Sequence, residues 1–193
     1  MKNILIIGGA RSGKSHYAQE LGLKLSQPVL FVATAEAGDE EMRQRIEEHR
    51  KARPSVWSTL EVTTRVGNQI RQKVGKAPTV IVDCITLLVN NIFRQHGDPT
   101  GELIDAPLIE KEVMAEIAEL VDCINQVNAS FIIVTNEVGL GLVPVNRMSR
   151  LYRDLLGKAN QVLAQQVDEI YLMVAGWPLQ MKSALPKRPD EVE

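Results

Sequence analysis

Aromatic side chains are scarce: Phe, Trp and Tyr make up 4% of the 193 residues, too few to build the stacking platform that single-stranded nucleic acid needs. Charge of one sign is missing as well. The 22 Lys and Arg against 24 Asp and Glu leave a net charge of −2, so no global positive field draws in a polyanion or an acidic lipid surface. Nucleic acid is therefore not an expected partner. Cysteine occurs twice, as Cys84 and Cys123, without the number for a disulfide framework or the spacing of a metal site; both sit among apolar residues and read as reduced, buried thiols. No apolar run approaches the ~20 residues of a membrane-spanning helix, so membrane insertion is not expected. Met1-Lys2-Asn3 leads straight into a short apolar run that ends in a glycine-rich turn, unlike a secretory leader, and the expected compartment is the cytoplasm.

What is present is an ordinary globular composition, 45% hydrophobic and 24% charged, in a length that suits one domain with a sizeable core. Short β-branched runs alternate with helical periodicities. Strands are expected at Asn3–Ile7, Val29–Ala33, Thr79–Val82, Phe131–Thr135 and Glu169–Ala175. A turn at Gly176-Trp177-Pro178 then leads to a last strand, Leu179–Lys182, antiparallel to the one before it. Helices are expected at Lys14–Leu25, Glu40–Lys51, Leu108–Val127 and Arg147–Gln166; in the third, Val113, Ile117, Leu120 and Ile124 form one stripe. The pattern predicts an α/β fold: a mostly parallel sheet flanked by helices, ending in an antiparallel hairpin. Residues 1–182 read as a single domain, residues 183–193 as a frayed tail, and Gly97–Ala106 as a polar surface loop.

The most specific local signal is Gly8-Gly9-Ala10-Arg11-Ser12-Gly13-Lys14-Ser15, set between an apolar strand and a helix. Glycines at this spacing let successive backbone N–H groups turn inward around phosphate oxygens, and the helix adds its positive N-terminal end. Lys14 would reach the outer phosphates and the Ser15 hydroxyl would hold Mg²⁺, which makes this a nucleoside triphosphate site. The strand Thr79-Val-Ile-Val82 runs into Asp83, the usual carboxylate partner of such a loop in orienting Mg²⁺ or its waters. Val134-Thr-Asn-Glu137 places a second carboxylate at a strand end, where it reads equally well as a cap on a turn.

The helix from Glu40 carries a third feature. Asp39 suits its N-cap, Glu40 and Glu41 its positive end, and Pro54 its stop. Met42, Ile46 and His49 fall at i, i+4, i+7, while Arg45, His49 and Arg53 form an adjoining i, i+4, i+8 row. A histidine between two guanidiniums is held toward its neutral, nucleophilic form and can attack phosphorus, the arginines holding the departing phosphates. The same spacing fits a helical histidine among solvated charges, and spacing alone favours that plainer reading. His16, in the first turn after the glycine-rich loop, and His96, at the start of a polar loop, have weaker claims. Downstream, Asn136-Glu-Val-Gly139-Leu-Gly141-Leu-Val-Pro144 reads as a shaped loop, followed by Arg147, Arg150 and Arg153 at i, i+3, i+6, either an ion-pairing face or an anion site.

Taken together, these segments resemble the bifunctional adenosylcobinamide kinase/adenosylcobinamide-phosphate guanylyltransferase family of cobalamin biosynthesis. The resemblance covers nearly the whole chain: Gly8–Ser15, Val32-Ala-Thr-Ala35, Asp39–Met42 with Arg45, Ile46 and His49, Arg53-Pro54, Trp57–Glu61, Asp83–Thr86, Asn136–Pro144, Arg153-Asp154, Gly157 and Asn160-Gln161. It implies a phosphate-loop sheet like the recombinase core and two reactions. One phosphorylates the hydroxyl of adenosylcobinamide from GTP or ATP. The other passes GMP from GTP, through a guanylylated His49, to adenosylcobinamide phosphate. It implies that Lys14 and His49 act in catalysis, that Ser15 and Asp83 serve Mg²⁺, and that Ala33, Thr34, Ala35, Arg50, Lys51, Ala52, Arg53 and Glu61 join Gly8–Ser15 in binding nucleotide. Glu61 suits guanine, whose Watson–Crick edge offers two N–H donors. The resemblance also implies a homo-oligomer, a trimer being one form its members take. A plain small-molecule kinase with a structural His49, and a recombinase-like ATPase, compete with this reading.

Overall fold

The computed structural model of the chain describes all residues except 26, 37, 39, 52, 97–104 and 184–193, and at 41, 42 and 45 only the backbone. The Asp39 cap, Ala52, the Met42 and Arg45 side chains, most of the 97–106 loop and nearly all of the tail lie outside the described residues.

Alternation within the strands decides the layering. The elements run β1 (Ile4–Gly8), α1 (Lys14–Lys24), β2 (Val29–Ala33), α2 (Glu40–Lys51), β3 (Ser58–Glu61), α3 (Val66–Lys73), β4 (Thr79–Asp83), α4 (Ile85–His96), α5 (Ala106–Gln126), β5 (Ser130–Val134), α6 (Arg147–Gln166), β6 (Glu169–Val174) and β7 (Trp177–Lys182). Leu5, Leu30, Val32, Val80, Val82, Phe131 and Ile133 point to one face, where they meet α3, α4, α5 and α6. Ile4, Ile6, Val29, Phe31, Ile81, Ile132 and Val134 point to the other, where they meet α1 and Trp57. Successive strand residues alternate sides, so a sheet covered on both faces reads as a continuous apolar run. Each fully buried large side chain stabilises the fold by about 1.5–3 kcal/mol. Gly22 keeps α1 close to the sheet: a Cβ there would sit 2.7 Å from Ile81 Cδ1 and 3.0 Å from the Trp57 ring.

The sheet has seven strands in the order β3-β2-β4-β5-β1-β6-β7, all parallel except β7. This is the expected α/β architecture, and β6 and β7 form the expected antiparallel hairpin. The turn itself differs. Ala175 and Gly176, both at positive φ (50° and 87°), make the connection, and Trp177 and Pro178 already belong to β7. Positive φ at two central residues matches the twist of a two-residue hairpin, and an edge strand tolerates a proline that donates no hydrogen bond. Three elements, β3, α3 and α4, have no counterpart among the expected ones.

Register puts the carboxyl ends together. Ala33 pairs with Asp83 and Asp83 with Val134, while Ile6 of the adjacent β1 also pairs with Val134. The loops after β1, β2, β4 and β5 thus open on one edge, where ligands bind in open α/β sheets. No helix among the described residues is long and apolar enough to cross a membrane.

Candidate functional site

The loop after β1 is shaped by backbone sterics. Arg11 and Gly13 take positive φ (55° and 95°), and Gly13 is the N-cap of α1 without a side-chain cap bond, so the first-turn N–H groups face the loop. Gly176 N donates to Ser12 O at 3.0 Å, so the β6–β7 turn buttresses the loop. Lys14, 7% exposed, donates to Gly9 O at 2.6 Å and approaches Ser12 Oγ at 3.4 Å. Its ammonium thus lies folded within the loop that it is expected to serve. A cavity of about 700 Å³ opens over Ala10–His16 and reaches Gln44, Glu48 and His49 on α2.

At the end of β4, Asp83 faces the first turn of α1, and the Ser15 hydroxyl hydrogen-bonds its carboxylate. Burial pushes this carboxyl above the usual aspartate range; the Ser15 bond and the charges of His49, Arg53 and Lys14 pull it partly back. Hydroxyl and carboxylate oxygens are the hard donors Mg²⁺ takes alongside phosphate oxygens and water, so Ser15 and Asp83 fit that ion. Among the described residues no group of three or more His, Cys, Asp or Glu could hold a metal unaided.

The next residue, Cys84, follows Asp83 through a cis peptide and is clamped by Thr34. Thr34 Oγ1 donates to Cys84 O at 2.7 Å and accepts from Cys84 N at 2.8 Å. Thr34 is fully buried, so its side chain serves the backbone beside Asp83 and not the cavity. Burial pushes the Cys84 thiol up to about 12, with the Asp83 charge adding to it, which leaves the thiol protonated and unreactive at neutral pH.

A second cavity of about 320 Å³ lies between β2, β3 and α2. Ala33, Ala35, Arg50, Arg53 and Glu61 line it. Arg50 and Glu61 form an exposed ion pair across it, and this pairing holds the Arg50 guanidinium above its ordinary range. The Arg53 guanidinium lies 3.9 Å over the Phe31 ring, and burial pulls it below its ordinary range despite Asp83 and Glu61 nearby. Its Nε and Nη1 are buried with no hydrogen-bond partner among the described residues. Such a cation is costly until an anion meets it.

Five residues line both cavities: Ser15, His49, Asp83, Cys84 and Asn136. The cavities therefore meet at the histidine, the hydroxyl and the carboxylate. Of the other expected residues, Lys51 is exposed and lines neither cavity. His16 lines the larger one and pairs with Glu20 at 3.2 Å, while His96 is exposed. In the arginine row, Arg150 donates to Pro144 O at 3.0 Å and to Val145 O, Arg153 approaches Asp154 at 3.4 Å, and Arg147 is exposed.

Sequence reasoning missed the supports behind the site. Asn91, 3% exposed on α4, donates to the carbonyls of Thr34 at 2.9 Å and Thr63 at 3.0 Å. Thr86 Oγ1 accepts from Asn136 N at 2.8 Å, and Asn160 Nδ2 donates to Asn136 O at 3.1 Å. The Asn90-Asn91 pair inside the apolar run Ile85–Phe93 was the available signal, because an amide on the buried face needs partners.

Comparison with known proteins identifies the family. The family model described as cobinamide kinase / cobinamide phosphate guanyltransferase matches residues 4–181. The chain is 38% identical over 180 residues to the bifunctional adenosylcobalamin biosynthesis protein CobU of Escherichia coli K12, covering 93% of this chain and 99% of that protein. It is 37% identical over 178 residues to the protein CobP of Pseudomonas aeruginosa, which bears the same bifunctional description, covering 92% and 96%. Solved structures share the fold at low identity. A protein of Pyrococcus horikoshii OT3 aligns with TM-score 0.51 and 11% identity over 95% of this chain and 87% of its own. An ATPase of the type III secretion system of pathogenic bacteria aligns with TM-score 0.51 and 14% identity over 89% and 50%. The chain belongs to the cobinamide kinase / cobinamide phosphate guanyltransferase family.

Proposed function

We propose that this member of the family carries out both of its reactions where the two cavities meet, and that His49 is the covalent carrier of GMP. The observation that carries the reading is that His49 lines the phosphate-loop cavity and the Arg50–Arg53–Glu61 cavity alike. In the kinase reaction, the terminal hydroxyl of adenosylcobinamide attacks the γ-phosphorus of GTP or ATP. The new P–O bond forms as the bond from the γ-phosphorus to the β,γ-bridging oxygen breaks, GDP or ADP leaves with that oxygen, and the hydroxyl proton passes to water. Lys14 and the backbone N–H groups of the loop hold the β- and γ-oxygens in line for that displacement. Mg²⁺, bound by Ser15, Asp83 and phosphate oxygens, would supply charge neutralisation there.

In the transfer reaction, a neutral His49 nitrogen attacks the α-phosphorus of GTP. A P–N bond forms, the α,β bridge breaks, pyrophosphate leaves, and the imidazole loses its ring proton. The phosphate oxygen of adenosylcobinamide phosphate then attacks the same phosphorus, breaks the P–N bond and regenerates the histidine, giving adenosylcobinamide-GDP. Arg53 meets the departing phosphates, and Glu61 accepts the guanine N–H donors once the base displaces Arg50. We place the reactions in the cytoplasm and in a homo-oligomer, whose size sedimentation velocity would read.

Intact-protein mass after incubation with GTP and Mg²⁺ tests the reading. An acid-labile increment of one GMP in the wild type, absent from His49→Ala, is the expected result. No increment in a wild type that still binds GTP would leave a phosphate-loop kinase with a structural His49.

A further inference from the structure

The loop from Val138 to Val145 turns a row of apolar side chains outward. Leu140 is 87% exposed, Leu142 97%, Val143 65% and Val145 97%. An isolated exposed leucine needs no explanation; a contiguous group displayed by one loop does. The loop is also pinned where it could have folded back. Glu137 N donates to Gly8 O at 3.0 Å, Gly139 N donates to the Glu137 carboxylate, and Arg150 holds the carbonyls of Pro144 and Val145. Asn146 caps α6, accepting from Ser149 N at 2.7 Å. Backbone bonds at both ends therefore keep the apolar side chains in water, at a cost that an occupant would recover.

Position identifies the occupant. The loop leaves the sheet beside the phosphate loop, and Asn136 at its root lines both cavities. Leu140 is three residues past Glu137, so at most about 11 Å of extended chain separates it from the residue whose N–H is bonded to Gly8 O. Whatever covers this surface has one end at the reacting phosphates. We propose that the Val138–Val145 loop is the docking surface for the corrin macrocycle of the substrate, holding its methyl-bearing face while the hydroxyl arm reaches into the phosphate-loop cavity. The proposal rests on the corrinoid reading of the site given above. An alkylcobalt(III) corrin is a broad cation with a methyl-bearing ring surface inside a rim of carboxamides, too large for a cavity of 700 Å³ that must also hold a triphosphate, and the Glu137 carboxylate at the root of the loop complements its charge. Nothing else in the reaction presents an apolar face of that size.

The experiment is calorimetric titration of adenosylcobinamide into GDP-saturated wild type and into the Leu140→Ser/Leu142→Ser double variant, with sedimentation velocity and GMP-adduct formation measured on both. Both side chains are exposed, so the fold and the nucleotide site are left as they are. The expected result is a corrinoid Kd raised about tenfold or more in the variant, with sedimentation and GMP adduct unchanged. Equal affinity in the two proteins would overturn this docking surface and leave the corrinoid reading standing. No binding to the wild type would overturn both. A variant that sediments as a smaller particle, with unaltered corrinoid affinity, would assign the loop to a second copy of this chain instead.

Discussion

The Ser15 hydroxyl and the Asp83 carboxylate share a hydrogen bond that joins the first turn of α1 to the carboxyl end of β4. This contact makes a pair of oxygen donors from two segments 68 positions apart in the chain (83 − 15). It also sets stability against function. Burial raises the Asp83 carboxyl above its ordinary range, so the folded state favours the protonated form. The stability this gives is fully present below the ordinary aspartate value and is lost as pH rises through the elevated one. At about pH 7.5 without Mg²⁺, Asp83→Asn is therefore expected to melt at or above the wild-type temperature, the difference vanishing toward about pH 4. Mg²⁺ with GTP should raise the wild-type melting temperature much more than that of the variant, and both activities should fall about 100-fold or more in Asp83→Asn. Thermal scans across pH, with and without Mg²⁺-GTP, check the two stability outcomes, and kinase and guanylyl-transfer assays check the third; a variant less stable than the wild type at neutral pH would contradict the burial argument.

Guanine selection is expected to run through Glu61. Its pairing with Arg50 is solvent-exposed, so losing that pair should leave stability unchanged. A carboxylate accepting from the guanine 2-amino group makes a charge-assisted bond, and inosine lacks that donor. Glu61→Gln should lower the ratio of kcat/KM for GTP over ITP by about tenfold, the equivalent of roughly 1.4 kcal/mol. Steady-state guanylyl transfer with the two nucleotides measures it, and an unchanged ratio would remove Glu61 from base recognition.

Local physics explains which parts of the fold were legible in the sequence. β2, α2 and α6 have the bounds expected from apolar runs, charge and caps, because each is decided by its own residues. α3 is not. Its first residues are capped from a distance: the Glu116 carboxylate of α5 accepts from Arg65 N and Val66 N at 2.7 Å each, and no side chain of the helix start does so. β3 is a four-residue edge strand with mostly exposed side chains, and has no apolar alternation to read. α4 opens on a β-branched run and carries Asn91 on its buried face, which blurs the helical period. At the site the phosphate loop was legible from spacing, and the preference for His49 as a nucleophile over a plain helical histidine came only with the resemblance. The Thr34 clamp was illegible, since Thr34 and Cys84 are 50 positions apart.

α3 and α5 approach at Gly67, where backbone meets backbone. A Cβ there would lie 2.4 Å from Glu119 O and 2.8 Å from its carbonyl carbon, and neither atom can turn aside as a flexible side chain can. Gly67→Ala should therefore destabilise the fold by about 3 kcal/mol, read as a lower urea midpoint at an unchanged slope. Gly67 lines neither cavity, so activity per folded molecule should be retained. A wild-type midpoint would show that α3 can slide away at little cost.

Thr34 offers the sharpest separation of positioning from binding. Its hydroxyl makes two hydrogen bonds to the Cys84 backbone, at 2.7 and 2.8 Å, and Cys84 directly follows the carboxylate that faces Ser15. Thr34→Val keeps the shape and deletes both bonds, leaving a buried N–H and C=O without the partner they have now. The expected loss is about 2–3 kcal/mol of stability. The effect on function should be specific: Asp83 is held less firmly, so the Mg²⁺ concentration for half-maximal activity rises and kcat falls, while the KM for corrinoid is unmoved. Thr34→Ser restores the hydroxyl and loses only a methyl group, so it should recover the wild-type Mg²⁺ dependence at a small cost in stability. Titrating Mg²⁺ against activity in the three proteins decides the matter. Valine and serine variants with the same Mg²⁺ curve would mean that the clamp supports the fold alone, whereas rescue by serine ties a buried hydroxyl in β2's following loop to the carboxylate at the end of β4.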